Sequence, residues 1–594
     1  MSKHVSISLS NGKKYVRILE SFRGADHKPH SVHIESRGLL DDLEKEDPNY
    51  VENLRKELRE ENRKEREAKL LTLDTRRLER VQKLDEILQG KPDYGFAKMF
   101  NIGSALLREV WVNDLNMPQV FRYLQKKSKI EYSYDEVAFF LCSQRILRPA
   151  SKKKTFEMRD SDIIPFSIDD INVLYRVLDR LSEDKHNIIR HINREISKRI
   201  KRKITVAFYD VTTYAFESRR ADELKDFGLS KDHKVNEVQV VLGLVMDENG
   251  IPIDYDLFPG NTSEFGTLLP MIKRVKKDYG IKKLTVVADR GLNSNENLVG
   301  LKKIGCDFVI AQKLRNCSEE QKALVLSEAE WKNTVDKDGV LLCKFKKIDV
   351  TKPIFETRID SETGKKSQSS KPTGTLDVQW VVSYSPARAA NDIDELERAI
   401  EKAKKAIQTR SSLTTSRGYK ALIKTPKKAG KPELNEEKIA EARRWAGYYA
   451  VCTNLEKKTS EEIMKMYRNL WRIEDCFRVS KTTLEARPCF VWTEEHIKGH
   501  FMSCFISLVI EKYLRYVLKK KIEGITNDEI NEALRTANVA YDNGDPTTPV
   551  YLRLYSPEGR FDDMLRAFSL DPPQRYETAK NLKKKLKLQS IAPN

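Results

Sequence analysis

A mixed α/β fold is predicted, with a central sheet that begins antiparallel and continues parallel, and three observations predict it. The apolar runs ITVAFYD (204–210), EVQVVLGLVMD (237–247) and PIDYDLFPG (252–260) follow one another with only turn residues between them. Two further runs, LTVVADRG (284–291) and DFVIAQKL (307–314), are each preceded by a segment of helical periodicity, SEFGTLLPMIKRVKKDYG and NENLVGLKKIG. A last run, GYYAVCTNL (447–455), returns as a strand after a long interruption.

The first five runs with their helices give the order β-β-β-α-β-α-β. Three antiparallel strands continued by parallel ones on crossover helices are the order of a ribonuclease-H-like catalytic core. The core is expected in two parts, 201–314 and 446–521, separated by a β-rich insertion domain over 315–445 that holds GVLLCKFKKIDV, TLDVQWVVSYS and a charged helix. Residues 1–40 alternate in short runs and read as a small β unit. The stretch 41–200 reads as a mostly helical N-terminal region that binds DNA. Its first part, 41–90, reads as an uninterrupted charged helical stretch ending at Gly90-Lys91-Pro92. The remainder, 522–594, ends in the basic segment NLKKKLKL and is expected to serve dimerisation or DNA contact.

With 594 residues the chain is too long for one core. Its 108 basic against 89 acidic residues leave a formal charge of +19, which points to a polyanionic partner, nucleic acid before an anionic membrane. The eight cysteines form no C-x-x-C pair, so reduced, space-filling thiols in a cytoplasmic setting are expected. No apolar leader or membrane-length apolar run occurs, and no phosphate-binding G-x-x-x-x-G-K-[ST] loop, so neither a membrane nor ATP is expected as a partner.

The chemistry is expected at strand ends. Asp210 closes its apolar run and Asp289 closes another, with Arg290 and Gly291 making the exit turn. A carboxylate at the carboxyl end of a buried strand sits at the crevice of an α/β sheet, where it is costly without a cation. The third carboxylate comes from YRNLWRIEDCFRVSK. Read as one helix, it lines Tyr467, Glu474, Arg478 and Lys481 along one face, within about 40° at 100° per residue. Three carboxylates without softer donors suit two Mg²⁺ ions, or Mn²⁺ in substitution, and phosphodiester chemistry by in-line displacement.

Other candidates read as structural. His496 and His500 lack the Glu a zinc protease helix needs and are expected to orient or cap the helix behind the catalytic one. His27, His30 and His33 read as solvated. Trp331 and Trp380 read as packing residues before base-stacking ones.

The segments YDVTTYAFES, LSKDHKVNEVQVVLGLVMDENGIPI, FPGNTSEFGTLLPMI, VVADRGLNSNENL, YRNLWRIEDCFRVSK and ARPCFVWTEEHIKGH together resemble a DDE transposase of bacterial insertion sequences. The resemblance is to the cut-and-paste branch, the insertion-sequence-four group, marked by a Tyr-Arg-Glu-Lys signature. It covers roughly 200–315 and 445–510. It implies that Asp210, Asp289 and Glu474 form a metal-binding triad, and that Tyr467 and Lys481 contact the DNA backbone. It also implies cleavage at terminal inverted repeats, joining of 3′-hydroxyls to target DNA, a homodimer on paired ends, and a bacterial or archaeal, nucleoid-associated enzyme. Leu470 stands where the signature has Arg, so the missing phosphate contact is assigned to Arg478, with Arg472, Arg468 and Arg290 as further DNA-binding candidates. The competing readings are an inactive transposase-derived DNA-binding repressor and a ribonuclease-H-like structure-specific nuclease.

Overall fold

The computed structural model describes residues 2–588 apart from 24–28, 66–97, 218–219, 229–236, 356, 360–365, 370, 410–417, 425–431, 488 and 543–549. The chain divides into two compact units, Met1–Phe96 and Ala97–Asn594. That division falls inside the 41–200 stretch.

In the first unit, β1 (Ser2–Ser10), β2 (Lys13–Arg23) and β3 (Pro29–Leu39) form an antiparallel sheet. Val16 and Ile18 pack with Leu40, Leu54 and Leu58. The helical stretch expected as uninterrupted from 41 is broken. One helix spans Leu40–Glu46 and a second runs over 50–65, with Pro48 between them removing an amide donor. The remainder of the expected stretch, and His27, lie outside the described residues, while His30 and His33 are exposed on β3.

The second unit is organised by a nine-stranded sheet. Its strands are β5 (Val206–Ala215), β6 (Gln239–Met246), β7 (Pro252–Pro259), β8 (Leu284–Ala288), β9 (Cys306–Ala311), β10 (Lys332–Val335), β11 (Leu341–Ile354), β12 (Gly374–Tyr384) and β13 (Tyr448–Thr453), the first following β4 (Lys98–Asn101), which lies in another sheet. The spatial order is β10-β11-β12-β13-β9-β8-β5-β6-β7. β5, β6 and β7 pair antiparallel, whereas β5, β8 and β9 run parallel. The crossovers carry α-helices at Leu268–Asp278 and Asn295–Lys303, as the sequence order predicts.

The stretch read as an insertion, 315–445, adds strands to the sheet. Its strands β10, β11 and β12 build no separate sheet. β12 pairs with the core strand β13 from Gln379↔Thr453 to Tyr384↔Tyr448, so the insertion extends the central sheet. The physical reason is edge satisfaction: β13 pairs with β9 on one side and needs a partner for its other row of amides.

Side chains alternate across the sheet. Ala207, Tyr209 and Val211 join the layer under the crossover helices, and Phe208 and Tyr214 join the opposite layer. That opposite layer is helical. Its helices are α1 (Tyr134–Leu147), α2 (Ile171–Glu183), α3 (Ser460–Arg468), α4 (Trp471–Arg478) and α5 (Glu494–Lys521). The helices expected between 95 and 200 are therefore part of the same hydrophobic core as the sheet. α5 is buried almost along its whole length and packs against α1, α2 and β7. Among the described residues no helix is long and apolar enough to cross a membrane.

Beyond α5, helix α6 (Asn527–Thr536) leads to strands Asn538–Asp542, Val550–Arg553 and Tyr576–Thr578, which form a four-stranded sheet with β4. The C-terminal region is thus tied to the start of the second unit.

Gly499 sets how closely α5 approaches α2: a Cβ there would lie 2.0 Å from the Leu178 carbonyl oxygen. Gly499→Ala should therefore force the helices apart and cost about 1–3 kcal/mol, read as a lowered thermal midpoint. Gly266→Ala, where nothing lies within 4 Å of the new Cβ, should change the midpoint little.

Candidate active site

The parallel pairing of β5 with β8 sets the site. Val206 faces Thr285, Ala207 faces Val286, Phe208 faces Val287 and Tyr209 faces Ala288. One residue further along each chain stand Asp210 and Asp289. Adjacent strands lie about 4.8 Å apart, so the two carboxylates start from neighbouring positions at one level. Asp210 shares its face with Phe208 and Tyr214, the face covered by α3 and α4. Both aspartates are partly buried.

Asp210 does not end its strand, contrary to the sequence expectation. Val211 to Ala215 continue it, paired with Gly243 to Gln239 on β6. What ends at Asp210 is the paired stretch with β8, so the carboxylate stands where the two parallel strands part. Its Oδ1 accepts a hydrogen bond from the Val211 amide at 2.7 Å. Asp289 follows the last residue of β8 and precedes the short helix Arg290–Leu292, with Arg290 exposed.

The segment from Tyr467 to Lys481 is not one helix. α3 ends at Arg468, α4 begins at Trp471, and a π-helical turn covers Val479–Thr483. The junction is tightened by i→i+3 bonds, Leu470 N to Tyr467 O at 2.9 Å and Ile473 N to Leu470 O at 3.0 Å. Such a turn advances about 120° per residue, so the projection that aligned the four side chains fails across it. Tyr467, Arg478 and Lys481 find different neighbours. The Tyr467 hydroxyl lies 3.5 Å from Asp289 Oδ1, and Arg478 pairs with Asp475. Lys481 Nζ lies 5.4 Å from the centre of the Tyr214 ring. Arg472 donates to the Glu248 carbonyl, and Arg468 is exposed. Leu470 is buried in the core at the junction, where a guanidinium would lose its water.

Glu474 is exposed on α4, which packs across β5. Among the described residues no group of three or more His, Cys, Asp or Glu side chains is gathered closely enough to hold a metal ion. The structure therefore brings Asp210 and Asp289 together but does not draw Glu474 into a finished cage with them. The donor set of the pair is carboxylate oxygen, which fits a hard divalent cation.

Several neighbours of the pair were not singled out from the sequence. The Tyr449 ring lies 5.5 Å from that of Tyr467, and the Arg388 guanidinium lies 4.7 Å from the centre of the Tyr449 ring. Burial raises the Tyr467 phenol well above the usual range, with Tyr449 and then Asp289 adding to it, so Tyr467 stays a neutral donor. Glu264 reaches the exit turn, since a Cβ on Gly291 would lie 2.8 Å from its Oε2. Tyr449 had a legible signal, a phenol at the start of the returning strand. The others come from the insertion and from turns, whose placement sequence patterns do not give.

The two histidines behind the site serve different partners. His496 Nε2 lies 3.3 Å from Asp179 Oδ1 on α2. His500 is buried, with Nε2 3.0 Å from the Ala486 carbonyl and Nδ1 3.2 Å from Lys152 Nζ. The carbonyl fixes the proton on Nε2, leaving Nδ1 to accept from Lys152. Burial lowers the Lys152 ammonium to about 7 and holds His500 well below its ordinary value. Trp380 is buried, and Trp331 donates to the Ser327 carbonyl at 2.9 Å beneath Lys344 and Lys346.

The family described as Transposase DDE domain matches residues 201–510, more than half of the chain. The chain belongs to the DDE transposases. The matched span contains β5, β8 and α4 and so all three expected acids. This transposase also aligns with a solved structure, the cryo-EM structure of piggyBac transposase synaptic complex with hairpin DNA. The alignment covers 83% of this chain and 86% of that one, at 8% identity and a TM-score of 0.33, too low to bear on fold or mechanism. None of the curated proteins matches it.

Tyr467→Phe removes a phenolic donor directed at Asp289 while keeping the ring against Tyr449. The thermal midpoint should stay within a few degrees, and DNA cleavage should fall roughly 10- to 100-fold, as losses of groups that orient a metal ligand do. A wild-type cleavage rate in that variant would remove Tyr467 from the site.

Proposed function

We propose that this DDE transposase is a Mg²⁺-dependent DNA endonuclease and strand-transferase with a ribonuclease-H-like core. It binds terminal inverted repeats, cleaves phosphodiester bonds at element ends and joins the freed 3′-hydroxyls to target DNA. The observation that carries this reading is the level placement of Asp210 and Asp289 on neighbouring parallel strands inside the matched span. The sheet order β7-β6-β5-β8-β9, with its antiparallel-then-parallel change at β5, supports the core assignment. Double-stranded DNA as partner is supported by the charge of +19. A dimer on paired ends follows from the resemblance to the insertion-sequence-four group, as does the bacterial or archaeal, nucleoid-associated setting.

Asp210 and Asp289 supply oxygen ligands, and Glu474, on the helix laid across β5, supplies the third. Two bound Mg²⁺ or Mn²⁺ ions would provide Lewis-acid activation of the attacking and leaving oxygens. Tyr467 holds the Asp289 carboxylate in orientation. Lys481, Arg478, Arg472, Arg468 and Arg290 hold the phosphate backbone on either side of the scissile bond. Glu474 would complete the oxygen donor set from the exposed side of α4.

The test is incubation with inverted-repeat end DNA and Mg²⁺ or Mn²⁺. Asp210→Asn, Asp289→Asn and Glu474→Gln should each abolish specific end cleavage, by about a thousandfold or more, while leaving end binding in a gel shift. Cleavage that persists in EDTA would contradict the metal mechanism. End binding without cleavage by the unaltered protein would favour the repressor reading, and cleavage of branched DNA without end specificity would favour the nuclease reading.

A further inference from the structure

The C-terminal half of α5 carries Lys512, Arg515, Tyr516, Lys519 and Lys520, at spacings of three, four, seven and eight from the first, which is one face of a helix. That face and α4, with the Asn249-Gly250 turn below, line a cavity of about 420 Å³. Five basic residues line it, these four and Arg472, against one acidic residue, Asp475. Asp475 is already engaged: burial opposes its charge, but Lys512 and Arg478 outweigh it and hold the carboxyl below its ordinary range.

A second observation is independent of this charge count. Arg515 is 5% exposed and lines the cavity, yet its Nε and Nη1 have no hydrogen-bond partner. Only Nη2 is engaged, with Glu511 and, at 3.4 Å, Asn531 Oδ1. A buried guanidinium left with free donors is costly unless an acceptor arrives. Phosphate oxygens match its fork geometry.

The third element is Trp471 at the start of α4. Its indole is 58% exposed at the rim of the cavity, an unusual position for so large an apolar surface beside cations. An acidic peptide would satisfy the cations but has no use for the ring. A flat base stacked on an indole beside cations that hold the adjoining phosphate uses both.

We propose that this cavity binds one nucleotide unit, its phosphate held by Arg515 and Lys519 and its base stacked on Trp471. The unit belongs to a nucleic-acid strand that continues past Glu474, which lies three residues beyond Trp471 on α4 and so about 60° around the same helix. Only the source of the strand rests on the DNA-processing function. The binding chemistry stands apart from it.

The experiment uses the full chain carrying Asp210→Asn, in EDTA, so that neither metal nor cleavage contributes. A short oligothymidylate is titrated while tryptophan fluorescence and fluorescence anisotropy of a labelled strand are read. Thymidine monophosphate and inorganic phosphate serve as competitors. Quenching should disappear in Trp471→Phe, and affinity should fall roughly tenfold or more in Trp471→Ala and in the Lys519→Ala/Lys520→Ala pair. All three are surface changes, and circular dichroism checks that they fold. Weak competition by the monophosphate supports a strand as the source, and strong competition supports a free nucleotide in the same pocket. Unchanged affinity and unchanged quenching in these variants would overturn the proposal, whatever the cleavage assays give.

Discussion

The proposed site depends on the parallel pairing of β5 with β8. Four backbone-paired positions, from Val206↔Thr285 to Tyr209↔Ala288, fix the level at which the two chains part, and the next residue on each is an aspartate. A one-residue slip would turn one carboxylate into the layer that holds Tyr209 and Val286. The apolar residues below the pair prevent that slip, because Phe208 and Val287 are committed to one layer and Ala207 and Val286 to the other. The hydrophobic effect thus sets the register, and the register sets the chemistry.

The second constraint is the helical layer that covers this face. α5 is buried from Gly499 to Arg515 because it packs against α1, α2 and the sheet, and Gly499 allows it to touch the α2 backbone. α3 and α4 rest on the same layer through Ile463, Met464, Ile473 and Cys476. Packing therefore carries Tyr467 to Asp289 and leaves Glu474 on the exposed side of α4. The same helix carries Trp471 and Arg472 to the basic cavity, so the proposed centre and that cavity share one helix.

The strands were legible in the sequence because period-2 alternation and long apolar runs are local signals. Asp289 was placed correctly for the same reason, at the end of LTVVA. Asp210 reads as the last residue of its strand, but the strand continues through VTTYA, whose threonines blur the end of the apolar signal. The Tyr467–Lys481 segment misled more strongly. Its composition suits a helix throughout, and nothing local announces the tight turn at Asn469-Leu470, which follows from burying Leu470 in the core. The insertion strands were found but their sheet was not, because pairing between β12 and β13 joins residues about seventy apart. Tyr449, Arg388 and Glu264 reach the site only through such long-range pairing and turns.

The central proposal is that Asp210, Asp289 and Glu474 hold divalent cations at one shared site. The most direct measurement is Mn²⁺ binding to the full chain, followed by electron paramagnetic resonance with and without uncleavable end DNA. Asp210→Asn and Asp289→Asn should each weaken binding by about tenfold or more, and the double variant should lose little beyond either single change, as expected for ligands of one site. Glu474→Gln should matter most when DNA is present. Mn²⁺ binding that is unchanged in both aspartate variants, with and without DNA, would contradict the account.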